Sequence, residues 1–249
     1  MANELAPLRA MEYPGRLIVL VRSRSDRWLI GYAITGRSPS SRARRLVVKD
    51  AGRLDTEPSD PAVLRTGNPA LLVYPAVMAS AGGLVVSNGA QTTPICGRMS
   101  GAESASACLE AALATPTLVA GIDVTAFEPD APNYTPRISG CVLPGKAALA
   151  IVRRDDAGAP SRQVFDVTAT PVGSGWLLST YAGTNTNPLP AFAGGPVALT
   201  VDADDPDVLV EAIYAALAPA PGKDDLRVAA AATSFPGAGE FSVINRVDL

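Results

Sequence analysis

Residues 128–137 combine three prolines with a varied set of polar side chains, in the order Glu-Pro-Asp-Ala-Pro-Asn-Tyr-Thr-Pro-Arg. Three prolines in ten residues preclude a helix and hold much of the backbone in extended or turn geometry. The segment carries two carboxylates, an amide, a phenol and a guanidinium, and it runs directly into an apolar strand that starts at Ile138. Prolines also build surface linkers, but a rigid loop with several hydrogen-bonding groups is typical of a small-molecule site. The segment is therefore the first candidate for a functional site.

Proton transfer in this protein must use residues other than histidine, because the chain contains none. This excludes His-dependent catalytic triads and His-liganded metals. Glu, Asp, Lys, Tyr and Cys remain as candidate acids and bases. Cys96, Cys108 and Cys141 lack Cys-x-x-Cys spacing, so we expect buried thiols in a reducing compartment rather than a disulfide or a metal site.

Two arginines flank small hydroxyl residues in residues 36–42, Gly-Arg-Ser-Pro-Ser-Ser-Arg. Guanidinium groups and serine hydroxyls suit phosphate and oxyanion recognition, so Arg37 and Arg42 are candidate ligands of an anion. A solvated basic loop would have the same composition. The spacing alone leaves both interpretations open.

Three further polar residues stand where predicted strands begin or end. Tyr74 precedes Pro75, which cannot continue a central ladder, so its hydroxyl either faces a cleft or belongs to the core. Asn68 leads into the same run. Asn88 is followed by Gly89 in a tight-turn pair, and its amide could recognise a base or a carboxamide or simply form a hairpin.

Length and charge limit the classes of function. With 249 residues, 47% of them apolar, residues 1–249 are predicted to form one domain. A formal net charge of −3 gives no electrostatic sign of a nucleic-acid or membrane partner. The chain shows no basic-then-apolar leader pattern and no apolar run of about 18–20 residues, and this predicts a cytoplasmic protein.

Short β-prone runs separated by turn residues dominate the sequence. Strands are predicted at residues 17–21, 28–35, 45–49, 70–77, 83–87, 117–127, 147–153, 163–170, 175–181, 227–234 and 240–247. Helices are predicted at residues 102–114 and 207–217, and a surface excursion at residues 50–68. Strands that follow one another without alternating helices exclude a Rossmann fold and predict an α+β protein, with two antiparallel sheets packed face to face and covered by helices.

Five segments, in this order and at this approximate spacing, resemble the archaeal-type IMP cyclohydrolase family. They are Tyr13-Pro14-Gly15-Arg16, residues 36–42, Asn68-Pro69 with Tyr74, residues 85–89, and Tyr134-Thr135-Pro136-Arg137. The resemblance implies a four-layer αββα sandwich similar to the N-terminal-nucleophile hydrolases, without autoprocessing. It also implies that the protein assembles as a homo-oligomer, with a tetramer as the expected form.

The resemblance implies an enzyme that converts 5-formamidoimidazole-4-carboxamide ribotide (FAICAR) to IMP with loss of water, formally a hydrolase acting in the dehydrating direction. A carboxamide nitrogen attacks a formyl carbon, so the reaction needs a base, a donor for the oxyanion and a proton for the departing hydroxyl. No metal or redox cofactor is required. The residues carried over are Arg42 as a ligand of anionic or carbonyl groups, Tyr74 as proton donor or oxyanion stabiliser, and Glu128 as base or polar partner.

Four more residues are carried over for substrate binding. Arg37 and Arg137 are expected to bind the 5′-phosphate, and Asn68 and Asn88 to orient the carboxamide or the imidazole. The prolines that follow Glu128 depart from the family pattern, so Asp130 is an alternative catalytic carboxylate.

Two other functions are compatible with the sequence. An amidohydrolase of the N-terminal-nucleophile class would need cleavage that exposes a Cys, Ser or Thr, which intact-mass measurement would detect. A purine-nucleotide-binding protein without activity would keep the arginines and lose the acid–base pair.

Overall fold

The computed structural model of the protein describes residues 5–64, 68–80, 82–237 and 240–249. The strands are β1 (Arg16–Arg22), β2 (Trp28–Thr35), β3 (Arg44–Asp50), β4 (Arg53–Pro58), β5 (Pro75–Ser80), β6 (Gly83–Ser87), β7 (Leu118–Val119), β8 (Ile122–Asp123), β9 (Arg137–Leu143), β10 (Lys146–Arg154), β11 (Pro160–Asp166), β12 (Ser174–Ser179), β13 (Val197–Thr200), β14 (Arg227–Phe235) and β15 (Ser242–Asn245). The helices are α1 (Ala6–Arg9), α2 (Pro39–Arg42), α3 (Pro61–Leu64), α4 (Pro69–Leu72), α5 (Thr92–Cys96), α6 (Ala105–Ala114) and α7 (Pro206–Ala216), followed by a 3₁₀ turn at Arg246–Asp248.

The strands form two large antiparallel sheets and one short ribbon. The six-stranded sheet has the order β13-β12-β1-β2-β14-β15, and the seven-stranded sheet has the order β11-β10-β9-β6-β5-β4-β3. β7 and β8 pair only with each other. β1 and β2 are joined as a hairpin, and so are β9 and β10, so each sheet contains a pair of neighbouring strands that are adjacent in sequence.

Alternation along the central strands shows how the layers are stacked. In β1, Ile18 and Leu20 belong to the core between the two sheets, whereas Leu17 and Val19 pack outward in a second cluster with α7. In β10, alternate residues likewise divide between the inter-sheet core and a third cluster under α6. Successive side chains of a strand point to opposite faces, so each sheet has two buried faces. The predicted α+β architecture of packed antiparallel sheets covered by helices is confirmed.

Local sequence signals explain where the two long helices begin. Asp205 caps α7 by accepting a hydrogen bond from Val208 N at 3.0 Å, and Pro206 stands at its first turn. Ser104 caps α6 in the same way through Ala107 N. α7 lies close to β2 because Gly31 has no side chain: a Cβ there would stand 2.4 Å from the end of Ile213.

Several predicted elements are confirmed, and β2 and β6 have the predicted bounds. The predicted helix at residues 207–217 is α7, and the helix at residues 102–114 is α6, which starts later because Ser104 is its cap. Apart from β2, β6 and the predictions at residues 70–77 and 117–127, every predicted strand is present, but its ends are shifted. β13 was not predicted.

The surface excursion predicted at residues 50–68 was wrong in its first half. β4 lies there and pairs with both β3 and β5. Its inward residues Leu54 and Thr56 are buried, whereas the residues between them are polar. This short alternation is easily taken for a loop.

Two predicted strands were also wrong in part. Residues 70–77 begin as α4, because Asn68 caps a helix whose first residue is proline, and the strand starts only at Pro75. Residues 117–127 form the β7–β8 ribbon, because Ala120 and Gly121 both have positive φ and turn the chain back after two residues.

Three predictions involve residues outside the described part of the chain: the N-terminal leader assessment at residues 1–4, residues 65–67 of the excursion, and Ala81 between β5 and β6. Among the described residues, no helix combines the length and the apolar character needed to cross a membrane.

The layer assignment predicts different costs for two leucine truncations. Leu149 is fully buried between the sheets, whereas Leu118 lies exposed on the ribbon. Leu149→Ala is expected to lower the free energy of unfolding by about 2–5 kcal/mol, and Leu118→Ala to change it by no more than about 0.5 kcal/mol. Urea denaturation measures both, and equal losses at the two positions would contradict the assigned layers.

Candidate active site

Three arginines are buried at the start of three different strands. Arg16 begins β1 in one sheet, and Arg44 and Arg137 begin β3 and β9 in the other. Their exposed fractions are 7%, 1% and 2%. Burying a guanidinium group costs free energy unless it is paired, so this cluster needs a partner.

Glu128 supplies one negative charge to this arginine cluster. Its Oε1 lies 2.7 Å from Arg16 Nη2 and 3.7 Å from Arg137 Nη1, and the residue is 3% exposed. Burial raises the pKa of Glu128 above its usual range, while Arg16 and Arg137 act in the opposite direction. Burial lowers the pKa of Arg137, and Glu128 opposes that change. Three guanidinium groups face one carboxylate, so the cluster has positive charge left for an anionic ligand.

Two tyrosines stand beside the same cluster. Tyr32 Oη and Tyr74 Oη are 2.8 Å apart, and both residues are buried. Burial lowers the pKa of Arg16, but Glu128 and the phenol of Tyr74 raise it, and the net shift is upward. Burial and the neighbouring Tyr74 raise the pKa of Tyr32 well above its usual value. Tyr32 is therefore neutral at physiological pH and can act as a hydrogen-bond donor.

A cavity of about 170 Å³ lies against this cluster, and Arg16, Arg44 and Tyr181 are part of its wall. Arg16 Nε and Arg44 Nη1 are buried and have no hydrogen-bond partner within the described part of the chain. Unpaired buried donors are costly and rare in native proteins. Acceptor oxygens of a ligand are one kind of partner that such donors require.

A larger cavity of about 470 Å³ adjoins the first one at Thr35. Glu12 and Lys223 on its wall pair with each other at 3.2 Å. No buried side-chain atom that lacks a partner in the described residues belongs to its wall. The smaller cavity is thus the better candidate site.

Arg137 is held in place by main-chain and amide groups. Its Nε donates to Ala126 O at 2.8 Å and its Nη1 to Gln91 Oε1 at 3.2 Å. Gly89 passes so close that a Cβ there would lie 2.2 Å from Arg137 Nη1. The turn before α5 and the side chain of Arg137 therefore hold each other in position.

The loop of residues 128–137 closes on itself. Glu128 N donates to Thr135 O at 2.9 Å, and Thr135 N donates to Asp130 Oδ1 at 2.6 Å. The Thr135 hydroxyl contacts Asp130 Oδ2 and Tyr181 Oη. These bonds join the two ends of the loop and connect it to the wall of the cavity.

The structure brings three of the predicted site residues together. Tyr74, Glu128 and Arg137 are all buried around Arg16. Arg37 lies at the cavity with its guanidinium carbon 5.1 Å from the Tyr13 ring centroid. It also donates to Asn185 Oδ1 and to Thr186 O.

Three predicted residues lie outside this group. Arg42 is half-buried at the end of α2, where its Nε donates to Gly36 O at 3.1 Å. Asn68 is exposed and caps α4. Asn88 is buried, but its Nδ2 donates to Pro136 O and its Oδ1 accepts from Ile138 N, so its amide supports β9 rather than lining the cavity.

The sequence reasoning did not assign site roles to Arg16, Arg44, Tyr32 and Tyr181. Tyr32 was detectable, because it alternates with Ile30 and Ile34 on the inward face of β2. The sequence signal for Arg16 is the glycine before it. The structure requires glycine at position 15, because its φ is +75° and a Cβ there would lie 2.2 Å from Thr180 Oγ1. Among the described residues, no group of three or more Cys, Asp or Glu side chains is arranged to hold a metal ion.

The arginine cluster predicts a large stability cost for removing its carboxylate. Glu128→Ala leaves Arg16 buried without its 2.7 Å partner, and we expect a loss of about 3–5 kcal/mol in the free energy of unfolding. The matched control is Glu57→Ala, which removes a pair with Lys49 at the surface and should cost about 0–1 kcal/mol. Denaturation in a buffer without phosphate or sulfate measures both. Similar values for the two variants would show that Glu128 does not neutralise the cluster.

The sequence matches the model of a protein family described as IMP cyclohydrolase-like protein over residues 13–232. A search of curated proteins found no match. The matched span covers well over half of the chain and includes the arginine cluster, both tyrosines of the 2.8 Å pair and Tyr181. The chain belongs to the family of IMP cyclohydrolase-like proteins.

Proposed function

We propose that this protein is an IMP cyclohydrolase that converts FAICAR to IMP with loss of water. The observation that carries the proposal is a pair of buried guanidinium nitrogens, Arg16 Nε and Arg44 Nη1, that have no partner among the described residues and belong to residues lining one cavity. Together with Glu128 and the phenols beside it, they offer donors and proton-transfer groups at one place. The family match supports a purine nucleotide as the substrate.

Ring closure needs an environment that stabilises a developing oxyanion. The carboxamide nitrogen attacks the formyl carbon, and the carbonyl electron pair moves onto oxygen. Arg16 and Arg44 are suited to receive that charge, because Arg16 Nε and Arg44 Nη1 are already in place and have no partner among the described residues. Tyr74, bonded to Tyr32 at 2.8 Å, is proposed to stabilise the oxyanion or to protonate the departing hydroxyl.

The 5′-phosphate is proposed to bind at the mouth of the cavity. Arg37, Ser38 and Ser41 line it there, and a guanidinium with nearby hydroxyls suits a phosphate group. Arg137 contributes positive charge from deeper in the site. Roles for Asn68 and Asn88 in orienting the substrate stay predictions, since the first caps a helix and the second bonds to the main chain.

Glu128 is proposed either as the base or as the partner that positions Arg16. The 2.7 Å pair with Arg16 supports the positioning role. A Glu128→Gln variant with full turnover and unchanged pH dependence would refute the base role. The homo-oligomeric state implied by the family resemblance also stays a prediction.

The direct test is turnover of FAICAR, followed by the absorbance of IMP. We expect turnover well above the uncatalysed background. A folded protein without turnover would overturn the proposal. If IMP nevertheless raised the melting temperature of that protein, a nucleotide-binding role without activity would replace it.

The geometry favours Arg44 over Arg42 as the arginine that contacts the reacting groups. Arg44→Met removes an unpaired donor from the cavity wall, and we expect kcat/KM to fall by roughly 10²-fold or more. Arg42→Met removes a hydrogen bond to Gly36 O and should cause a much smaller loss. Steady-state kinetics, with melting temperatures to confirm folding, compare the two variants. A larger loss for Arg42→Met would show that the family-based assignment is right and the geometric one wrong.

A further inference from the structure

A line of hydrogen-bonded groups leads from the cavity to a carboxylate near the surface. Tyr181 lines the cavity, and its Oη lies 2.5 Å from Thr135 Oγ1. The Thr135 hydroxyl in turn donates to Asp130 Oδ2. Tyr181 and Thr135 are buried, whereas Asp130 is half-buried. The line therefore connects the interior of the site with a group that solvent can reach.

The direction of these hydrogen bonds follows from the number of protons available. An ionised carboxylate only accepts, so the single hydroxyl proton of Thr135 points to Asp130. Thr135 Oγ1 must then accept from Tyr181, and the Tyr181 proton points away from the cavity. The remaining lone pair of Tyr181 Oη is left to accept a hydrogen bond from a ligand.

Glu128 is less suited than Asp130 to take up a proton from the cavity. Its Oε1 already binds Arg16 and lies near Arg137, so protonation would leave buried guanidinium groups without their counter-charge. Glu128 is not part of the cavity wall, whereas Tyr181 is. Within the described residues Asp130 forms no ion pair, and both hydrogen bonds to its carboxylate come from the neutral donors of Thr135.

We propose that Asp130 is the terminal acceptor of the proton released during ring closure, and that the proton reaches it through Tyr181 and Thr135. This inference rests on the proposed function. In the addition step, the N–H electron pair of the carboxamide forms the new N–C bond, and the carbonyl π pair becomes the oxyanion. The amide proton passes to Tyr181 Oη, the Tyr181 proton to Thr135 Oγ1, and the Thr135 proton to Asp130 Oδ2. Asp130 then releases its proton to solvent.

The first test breaks the line at its middle. Thr135→Val removes the hydroxyl and keeps the shape and the backbone N–H that binds Asp130, so kcat should fall by roughly 10²-fold or more with little change in KM. Thr135→Ser restores a hydroxyl and should recover most of the activity. Thr233→Val is the matched control. It removes an equally buried hydroxyl, which lies on β14 and donates to Glu240 O, and it should leave kcat unchanged.

The second test uses the partial exposure of Asp130. Turnover by Asp130→Ala should be low and should rise with added formate, which can enter the vacated position and accept the proton. Turnover by Glu128→Ala should not be rescued, since that site is buried between arginines. In mixtures of H₂O and D₂O, a plot of the wild-type rate against the deuterium fraction should be curved, because several protons move together. The same plot for Thr135→Val should be linear.

Two outcomes overturn the relay and are distinguishable from each other. In the first, wild-type protein turns over FAICAR, and Thr135→Val and Asp130→Asn keep kcat within about threefold of the wild-type value. Loss of an acid–base group typically lowers the rate by about 10²-fold, so this result would mean that the proton takes another route. If the wild-type protein has no turnover, the proposed function fails and the relay fails with it.

Discussion

The Arg16–Glu128 ion pair is the contact on which the arrangement of the site depends. Arg16 comes from the six-stranded sheet, and Glu128 belongs to the loop that leads into β9 of the seven-stranded sheet. The pair therefore joins the two sheets where Arg44 and Arg137 also begin their strands. Desolvating charges at this position costs several kcal/mol even when they are paired. The large apolar core between the sheets offsets that cost.

The proposed site uses hydroxyl and carboxylate groups for proton transfer in a chain without histidine. Burial keeps Tyr32 and Tyr181 neutral by raising the pKa of each phenol. Neutral hydroxyls both donate and accept, so they conduct protons without holding charge. Carboxylates then divide the remaining work: Glu128 compensates the arginines, while Asp130 stands at the end of a hydroxyl chain near solvent. Under the proposed relay, positioning and proton uptake belong to different groups.

Much of the fold was predictable where a single local signal determined the element. Asp205-Pro206 marks the start of α7, and dense β-branched and aromatic residues mark β2. β4 was missed because only Leu54 and Thr56 of its residues are fully buried. That alternation indicates a strand only once its pairing with β3 and β5 is known. Long-range pairing, rather than local propensity, forms this strand.

The candidate site was predictable to a similar degree. The proline-rich loop and its motif are enough to indicate Glu128 and Arg137 from the amino-acid sequence alone. The family resemblance assigned Arg42 and gave no role to Arg44, and the sequence holds no signal against that choice, because two arginines two positions apart have the same chemistry. Their difference arises at Ala43, where α2 ends and β3 begins, so that Arg42 stays on the helix while Arg44 turns inward.

Gly15 has a consequence for redesign of the cavity. Its positive φ and the lack of a Cβ let the chain before β1 lie against Thr180 and the ring of Tyr181. Thr180 Oγ1 in turn bonds to both Arg16 N and Pro14 O. The separation of Arg16 from Tyr181 is thus set by the backbone at Gly15 together with the hydroxyl of Thr180. Attempts to engineer acceptance of a bulkier or differently charged ligand should leave this part of the wall intact and vary other residues that line the cavity, such as Arg37, Ser38 and Leu72.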